Sequence, residues 1–297
     1  MRTIIVTYGL PAAGKDFWAK EEMRRYPNRY KRVNKDMLRA MLDNADFSYD
    51  NEKFMLSVRD SIVEKSLRRG FDVIVSDTNF PMGGRHFLRM CEIAQKVGDV
   101  TVAEKFFDVT VKEALARNHN ADRTAVPDDV IYTMYDKHVK NKFATAQTVY
   151  FPPLQPLENI HGLKPAVVCD IDGTLAIKGD RSPYDWKNVG VDTVNQDVAG
   201  LFGMLGSGIT KIIISGRDGS CRAETEKWLD DNCISYDMLI MRTANDNRKD
   251  AVIKSELYEA NIKDKYNVLF VLDDRDQVIE MWRRKGITCM QVNYGDF

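Results

Sequence analysis

The chain is short of the residues that would build a disulfide frame or a structural zinc site. Its five cysteines, Cys91, Cys169, Cys221, Cys233 and Cys289, are scattered with no CxxC pair. That pattern points to reduced thiols in a cytosolic setting. Histidine is scarce too: His86, His119, His138 and His161 show no ligand spacing. No apolar run is long enough to span a bilayer, and the N-terminus enters a β-branched stretch without a signal peptide, so no membrane role is expected. Net charge is all but absent, with 43 Lys and Arg against 44 Asp and Glu. No global field then draws the chain onto nucleic acid, and any such contact must come from local basic patches. Repeats and low-complexity segments are missing. What remains is 297 residues with 44% hydrophobic content, comfortable for two globular domains with sizeable cores.

The most informative stretch is Val167-Val168-Cys169-Asp170-Ile171-Asp172-Gly173-Thr174. The apolar residues before Asp170 read as a buried strand. Side chains at i and i+2 of a strand point the same way, so Asp170 and Asp172 are expected to project together where it ends. Ligands of open α/β sheets bind outside the carboxyl ends of strands. Two carboxylates crowded there repel each other unless a cation lies between them, and Mg2+ suits oxygen ligands. One carboxylate can then attack a phosphoryl group while the other passes a proton to the leaving oxygen. A surface turn rich in Asp and Gly is the plainer alternative.

Two further apolar strands in the same half end in polar groups. Thr210 to Arg217 closes on Ser215-Gly216-Arg217, donors suited to a phosphoryl oxygen. Asn267 to Arg275 closes on Asp273-Asp274, further metal-ligand candidates facing Asp170. Asp250 and Lys254 stand at i, i+4 on one helix face, a spacing equally typical of a surface salt bridge.

The first half opens on a β-branched strand, Thr3 to Tyr8, then Gly9-Leu10-Pro11-Ala12-Ala13-Gly14-Lys15 and a helical stretch. G-x-x-x-x-G-K between strand and helix is the context of a phosphate-cradling loop. Its backbone N–H groups wrap an anion at a helix N-terminus and Lys15 adds a point charge. A Ser or Thr hydroxyl should follow to hold the nucleotide's Mg2+; Asp16 and Phe17 stand there instead. Asp16 could ligate the metal itself, yet it sets a negative charge beside anionic phosphates. Asp36 opens the next predicted helix, either as an N-cap or as a base for an attacking hydroxyl, with Arg39 one turn on. Phe71 to Ser76 predicts a strand whose end, Asp77-Thr78-Asn79, faces the same crevice. A helix from Val111 delivers Arg117 and, beyond it, Arg123, arginines of the kind that close over nucleotide phosphates. Pro152, Pro153, Pro156 and Pro165 break the periodicity. Domains are therefore expected at 1–149 and 166–297 with a Pro-rich linker at 150–165.

The ordered set Asp170, Asp172, Ser215, Lys254, Asp273 and Asp274 resembles the haloacid-dehalogenase-type phosphotransferases. The whole chain resembles the phage-type bifunctional polynucleotide 5'-kinase/3'-phosphatases. Ser76-Asp77-Thr78-Asn79, Arg181-x-Pro183-Tyr184-Asp185, Met281-Trp282-Arg283-Arg284 and the terminal Gly295-Asp296-Phe297 extend that likeness. It implies an α/β fold in two domains, a P-loop kinase-like parallel sheet with flanking helices and a haloacid-dehalogenase-like Rossmannoid sheet. It also implies an end-healing activity on DNA or RNA ends that uses ATP and Mg2+, a functional link to a nucleic-acid ligase, and a homo-oligomer, tetrameric in the related enzyme.

Residue by residue, Asp170 would carry the aspartyl-phosphate and Asp172 protonate the leaving 3'-oxygen. Ser215, Arg217 and Lys254 would hold the phosphoryl group. Asp170, Asp172, Asp273 and Asp274 would form the metal set, supported by Arg181 and Asp250. In the kinase half Gly9, Ala13, Gly14, Lys15, Asp16, Arg117 and Arg123 would bind the nucleotide. Asp36 would be the general base, with Arg39 and Asp77 on the acceptor. The family carries Ser-Thr after the P-loop lysine and a lid arginine where this chain has Ala121. These departures leave a second reading open, an active 3'-phosphatase with a weak or inactive P-loop domain. A kinase/phosphatase of sugars or nucleotides is a third, which the fold permits.

Overall fold

The structure is a computed structural model that describes residues 1–119, 125–140, 145–179, 181–182 and 185–295. The lid call on Arg123 and Ala121 lies outside the described residues. The chain divides into two compact units, Met1–Leu154 and Gln155–Phe297.

The first unit alternates strand and helix: β1 (Arg2–Tyr8), α1 (Lys15–Arg25), β2 (Tyr30–Val33), α2 (Lys35–Asp43), α3 (Tyr49–Arg68), β3 (Asp72–Val75), α4 (Arg85–Val97), β4 (Val100–Phe106), α5 (Val111–Asn118), α6 (Asp128–His138) and β5 (Thr148–Phe151). The sheet order is β2-β3-β1-β4-β5. β1 to β4 pair in parallel, and β5 closes the edge antiparallel to β4 with Val149 opposite Val102. Central β1 and β3 are near-continuous apolar runs because helices cover both faces of a parallel sheet. Ile4, Val6, Val73 and Val75 are buried against Met55, Val63, Leu67 and Met90 of the helices. Full burial of each such side chain contributes roughly 1.5–3 kcal/mol.

The expected linker at 150–165 begins inside this unit, since Tyr150 and Phe151 belong to β5. The physical reason is pairing: β4 offers an open edge, and the alternating exposure of 148–151 suits an edge strand just before Pro152 and Pro153.

The second unit contains β6 (Lys164–Cys169), β7 (Ala176–Ile177), β8 (Thr193–Val194), α7 (Gln196–Gly203), β9 (Thr210–Asp218), α8 (Arg222–Asp231), β10 (Met238–Arg242), α9 (Asp250–Asn261), β11 (Tyr266–Asp273), α10 (Asp276–Arg284) and β12 (Cys289–Gln291). Its main sheet, β10-β9-β6-β11-β12, is parallel throughout. One face packs Val168, Ile212, Ile214 and Val271 onto Tyr258 and Trp282. The other packs Val167, Cys169 and Ile213 onto Phe202, Trp228 and Leu229. β6 lies centrally, with β9 and β11 on opposite sides. The carboxyl ends of β6 and β11 therefore flank the switch point where an open α/β sheet forms its ligand crevice.

Candidate active sites

β6 ends at Cys169, so Asp170 is the first residue past the strand, its backbone N–H still donating to the Leu272 carbonyl of β11 at 3.0 Å. β11 ends at Asp273 beside it, and Asp274 follows. Asp170, Asp273 and Asp274 are buried and offer carboxylate oxygens that all lie within 4.8 Å of one another. Three clustered hard oxygens of this kind fit a Mg2+-sized cation.

α9 brings Lys254 against the group. Its Nζ stands 2.8 Å from Asp170 Oδ1 and 2.9 Å from Asp273 Oδ2, with Asp250 Oδ2 at 3.5 Å. Burial alone would lower the Lys254 pKa, but these carboxylates outweigh it and hold the ammonium charged. Burial raises the Asp170 pKa well above the usual carboxylate range despite Lys254. Burial, then the neighbouring Asp273 charge, lifts Asp274 to about 6. For Asp250 the balance reverses: burial opposes ionisation, yet Lys254, Arg275 and Arg242 together pull its pKa down.

Asp172 departs from expectation. The strand has already ended, so the two-residue alternation does not carry past Cys169, and Asp172 points to the arginines instead of the acidic cluster. Arg217 grips it with Nε at 2.9 Å from Oδ2 and Nη2 at 2.8 Å from Oδ1, and Arg181 Nη2 is 3.2 Å from Oδ1. Among the described residues Asp172 is thus not part of the metal-capable carboxylate group. Arg217, fully buried, is likewise occupied: its second contact is Asp192 at 2.9 Å. Ser215 sits inside β9, which runs on through Asp218, and its hydroxyl accepts the Arg217 backbone N–H at 3.2 Å.

The residue that sequence reasoning missed is Asp192. Its side chain is fully buried, and it accepts Arg181 Nε at 2.7 Å as well as Arg217. A single acid outside any strand-end motif gave no signal. Arg242 and Arg275, which flank Asp250 at 3.2 and 3.6 Å, were also unassigned, although each stands at or just past a strand's carboxyl end. Asp170 and Asp172 line a cleft of about 730 Å³ together with Lys178, Arg181, Arg242, Arg248, Lys249 and Arg275 and two further acids, Asp218 and Asp250. Six basic side chains against four acidic ones leave the lining with a positive balance that suits a polyanion.

In the first unit, Gly9 (φ +150°), Ala12 (φ +61°) and Gly14 (φ +92°) bend the loop between β1 and α1. A Cβ on Gly9 would come within 2.8 Å of the Phe107 carbonyl oxygen. Ala13 is buried in the turn. Lys15 folds back on the loop, its Nζ donating to the carbonyls of Gly9 (2.9 Å) and Leu10 (2.7 Å). Asp16, half exposed, meets Arg32 Nη2 at 2.7 Å.

The cap of α2 is Asn34, whose side chain accepts the Met37 N–H, so Asp36 is not an N-cap. Asp36 is exposed and paired to Arg39 at 2.7 Å, while Arg39 Nε also meets Glu52. Asp77 is buried past the end of β3. One of its oxygens accepts the Lys35 N–H at 2.8 Å, and the other has no partner among the described residues. Arg117 on α5 pairs with Glu113 at 3.3 Å.

The two sites and their sheets define a P-loop unit joined to a haloacid-dehalogenase-type phosphatase unit. Residues 164–297 match the polynucleotide kinase PNKP phosphatase domain, and residues 4–139 match the AAA domain. A chain of the solved Pnkp1/Rnl/Hen1 RNA repair complex is 32% identical, with 100% of this chain and 97% of that one covered and a TM-score of 0.53. A second structure of that complex gives 31% identity, 100% and 98% coverage, and the same TM-score. A protein of Autographa californica nuclear polyhedrosis virus, named for bifunctional polynucleotide kinase/RNA ligase activity, is 28% identical over 95% of this chain. The chain spans 41% of that relative's length. It belongs to the polynucleotide kinase/phosphatase family.

Proposed function

We propose that this protein heals nucleic-acid ends, hydrolysing a 3'-phosphate in its second unit and transferring the γ-phosphate of ATP to a 5'-hydroxyl in its first. The observation that carries this reading is the convergence of Asp273, Asp274 and Lys254 on Asp170, which itself lines a cleft with six basic side chains. Asp170 is the nucleophile, forming an aspartyl-phosphate as the 3'-oxygen leaves; water then attacks the phosphorus, releasing inorganic phosphate and freeing the Asp170 carboxylate. Asp172, oriented by Arg217 and Arg181 on the cleft wall, hands that oxygen its proton. Lys254, 2.8 Å from Asp170, opposes the effect of burial on the nucleophile's charge and would lie beside the phosphoryl oxygens. Asp170, Asp273 and Asp274 would hold Mg2+, which when bound supplies positive charge against the transferring group.

In the first unit Lys15 turns from the loop carbonyls to the nucleotide phosphates. Asp36 takes the proton of the 5'-hydroxyl, Arg39 binds the acceptor's neighbouring phosphate, and Asp77 lines its seat. Arg117 joins at the nucleotide. The products, a 3'-hydroxyl and a 5'-phosphate, are what a ligase joins. The relatives named for RNA ligase and RNA repair support RNA ends as substrates and a ligase as the functional partner.

The test uses labelled ATP with a 5'-hydroxyl oligonucleotide, and separately a 3'-phosphate oligonucleotide. Label transfer and phosphate release are both expected. Asp170→Asn should abolish release while sparing ATP binding, because an amide cannot serve as the nucleophile. Release at near wild-type rate in that variant would overturn the assignment. Absence of label transfer alongside intact release would leave a phosphatase with a non-catalytic P-loop unit.

A further inference from the structure

Asp16 occupies the position after the P-loop lysine, where a carboxylate meets nucleotide phosphates with the wrong sign of charge. The structure gives it a companion from another strand. Arg32, on β2, reaches Asp16 Oδ1 with Nη2 at 2.7 Å, and its Nε donates to Ser76 Oγ at 2.7 Å. Ser76 is buried at the end of β3, and the Arg32 side chain is only 9% exposed against 56% for Asp16. The guanidinium is thus clamped from the sheet side by a fixed hydroxyl and presents its charge to the opening turn of α1. The other Asp16 oxygen accepts no hydrogen bond among the described residues, on a side chain that is 56% exposed. A hard, half-exposed carboxylate oxygen at that position fits a divalent cation carried by a nucleotide.

We infer that Asp16 and Arg32 work as one unit. Asp16 supplies a carboxylate ligand to the nucleotide's cation in place of a hydroxyl, and Arg32, fixed by Ser76, offsets the charge that would otherwise repel the phosphates. Arg32 is then a positioning residue, and the pair should make nucleotide binding unusually dependent on the divalent ion. Removing Asp16 alone frees a guanidinium beside the phosphates, which can pair with them directly. Removing Arg32 alone leaves an uncompensated carboxylate there.

The inference rests on the nucleotide reading of the P-loop, and equilibrium binding of a fluorescent ATP analogue to the full chain separates the two. Titrations are run with Mg2+, with Mn2+ followed by its paramagnetic resonance signal, and with chelator. Wild type should bind with the cation and about tenfold or more weakly without it. Asp16→Ala should gain affinity in chelator, shrink the cation effect by about tenfold, and weaken the Mn2+ signal of the complex. Arg32→Ala should lose about tenfold with Mg2+, and the double variant should recover much of that loss. The urea-unfolding transition of the first unit, followed for each variant, reports that it is folded.

A cation dependence in Asp16→Ala equal to wild type, or strictly additive effects of the two substitutions, would overturn the inference. Asp16→Asn, a surface change of the same shape, decides the matter if the Arg32 variant does not fold. Failure of wild type itself to bind the analogue would instead remove the nucleotide reading.

Discussion

Lys254 shows how much a single side chain holds together in this molecule. It is fully buried, yet three carboxylates lie within 3.5 Å of its ammonium. Breaking a buried ion pair from one side is far more damaging than never having built it, because the charges left behind lose both water and partner. Lys254→Met should therefore destabilise the second unit by about 3–5 kcal/mol as well as abolish phosphate release, read by urea unfolding. A variant as stable as wild type would show that the carboxylates are already neutral in the folded state. His86 offers a residue-scale test in the first unit. Burial, with Lys35, Arg59 and Arg85 nearby, lowers its pKa to about 3 from an ordinary 6.5. The unfolded chain then binds a proton below pH 6.5 that the folded chain refuses until pH 3 or so, so stability falls as pH drops through that window. His86→Gln should flatten the decline between pH 6.5 and 4; parallel curves would remove His86 from the account. The sequence made Asp170, Lys254, Asp273 and Asp274 legible because each sits at a strand end or one helical turn from another acid. Asp192 was not legible, since its value comes wholly from Arg217 and Arg181 arriving from elsewhere in the fold.

Elements were legible where burial was two-sided. β1, β6, β9 and β11 are continuous apolar runs capped by polar residues, and each lies within a residue or two of its expected span. Short, half-exposed elements left weaker marks: β5 looked like the start of a linker, and β7 with β8 form a two-residue pairing no periodicity could announce. Asp172 lines the same cleft as Asp170, but strand alternation ends at Cys169 and does not carry its side chain into the acidic cluster. The turn that replaces it is Ile171 to Ala176, and Gly173 sits in it at φ +83° with a Cβ position that collides with the Asp274 carboxylate. Gly173→Ala should thus push Asp274 out of the acidic cluster without deleting any ligand. Phosphate release should fall by about 10–100-fold and need more Mg2+ to recover, as disturbed ligand geometry generally does. Loss of rate with an unchanged Mg2+ requirement would place the damage in the turn rather than the cluster.

At the scale of the whole chain, the notable feature is that each unit has its own sheet and its own apolar core. The apolar clusters of Met1–Leu154 and those of Gln155–Phe297 share no residue, and every side chain assigned to phosphate release lies in the second unit. A domain with its own core is expected to fold alone. The position of β5 decides where a cut can fall. Division at 149, within the strand, would strip β4 of its antiparallel partner and expose an edge, whereas division after Leu154 leaves both sheets whole. A fragment spanning 155–297 should unfold cooperatively and release 3'-phosphate within a few-fold of the full chain's rate. Its complement, 1–154, should bind ATP and release no phosphate, and a version ending at 147 should be markedly less soluble. An unfolded or inactive 155–297 fragment would mean that the phosphatase core depends on surface supplied by the first unit.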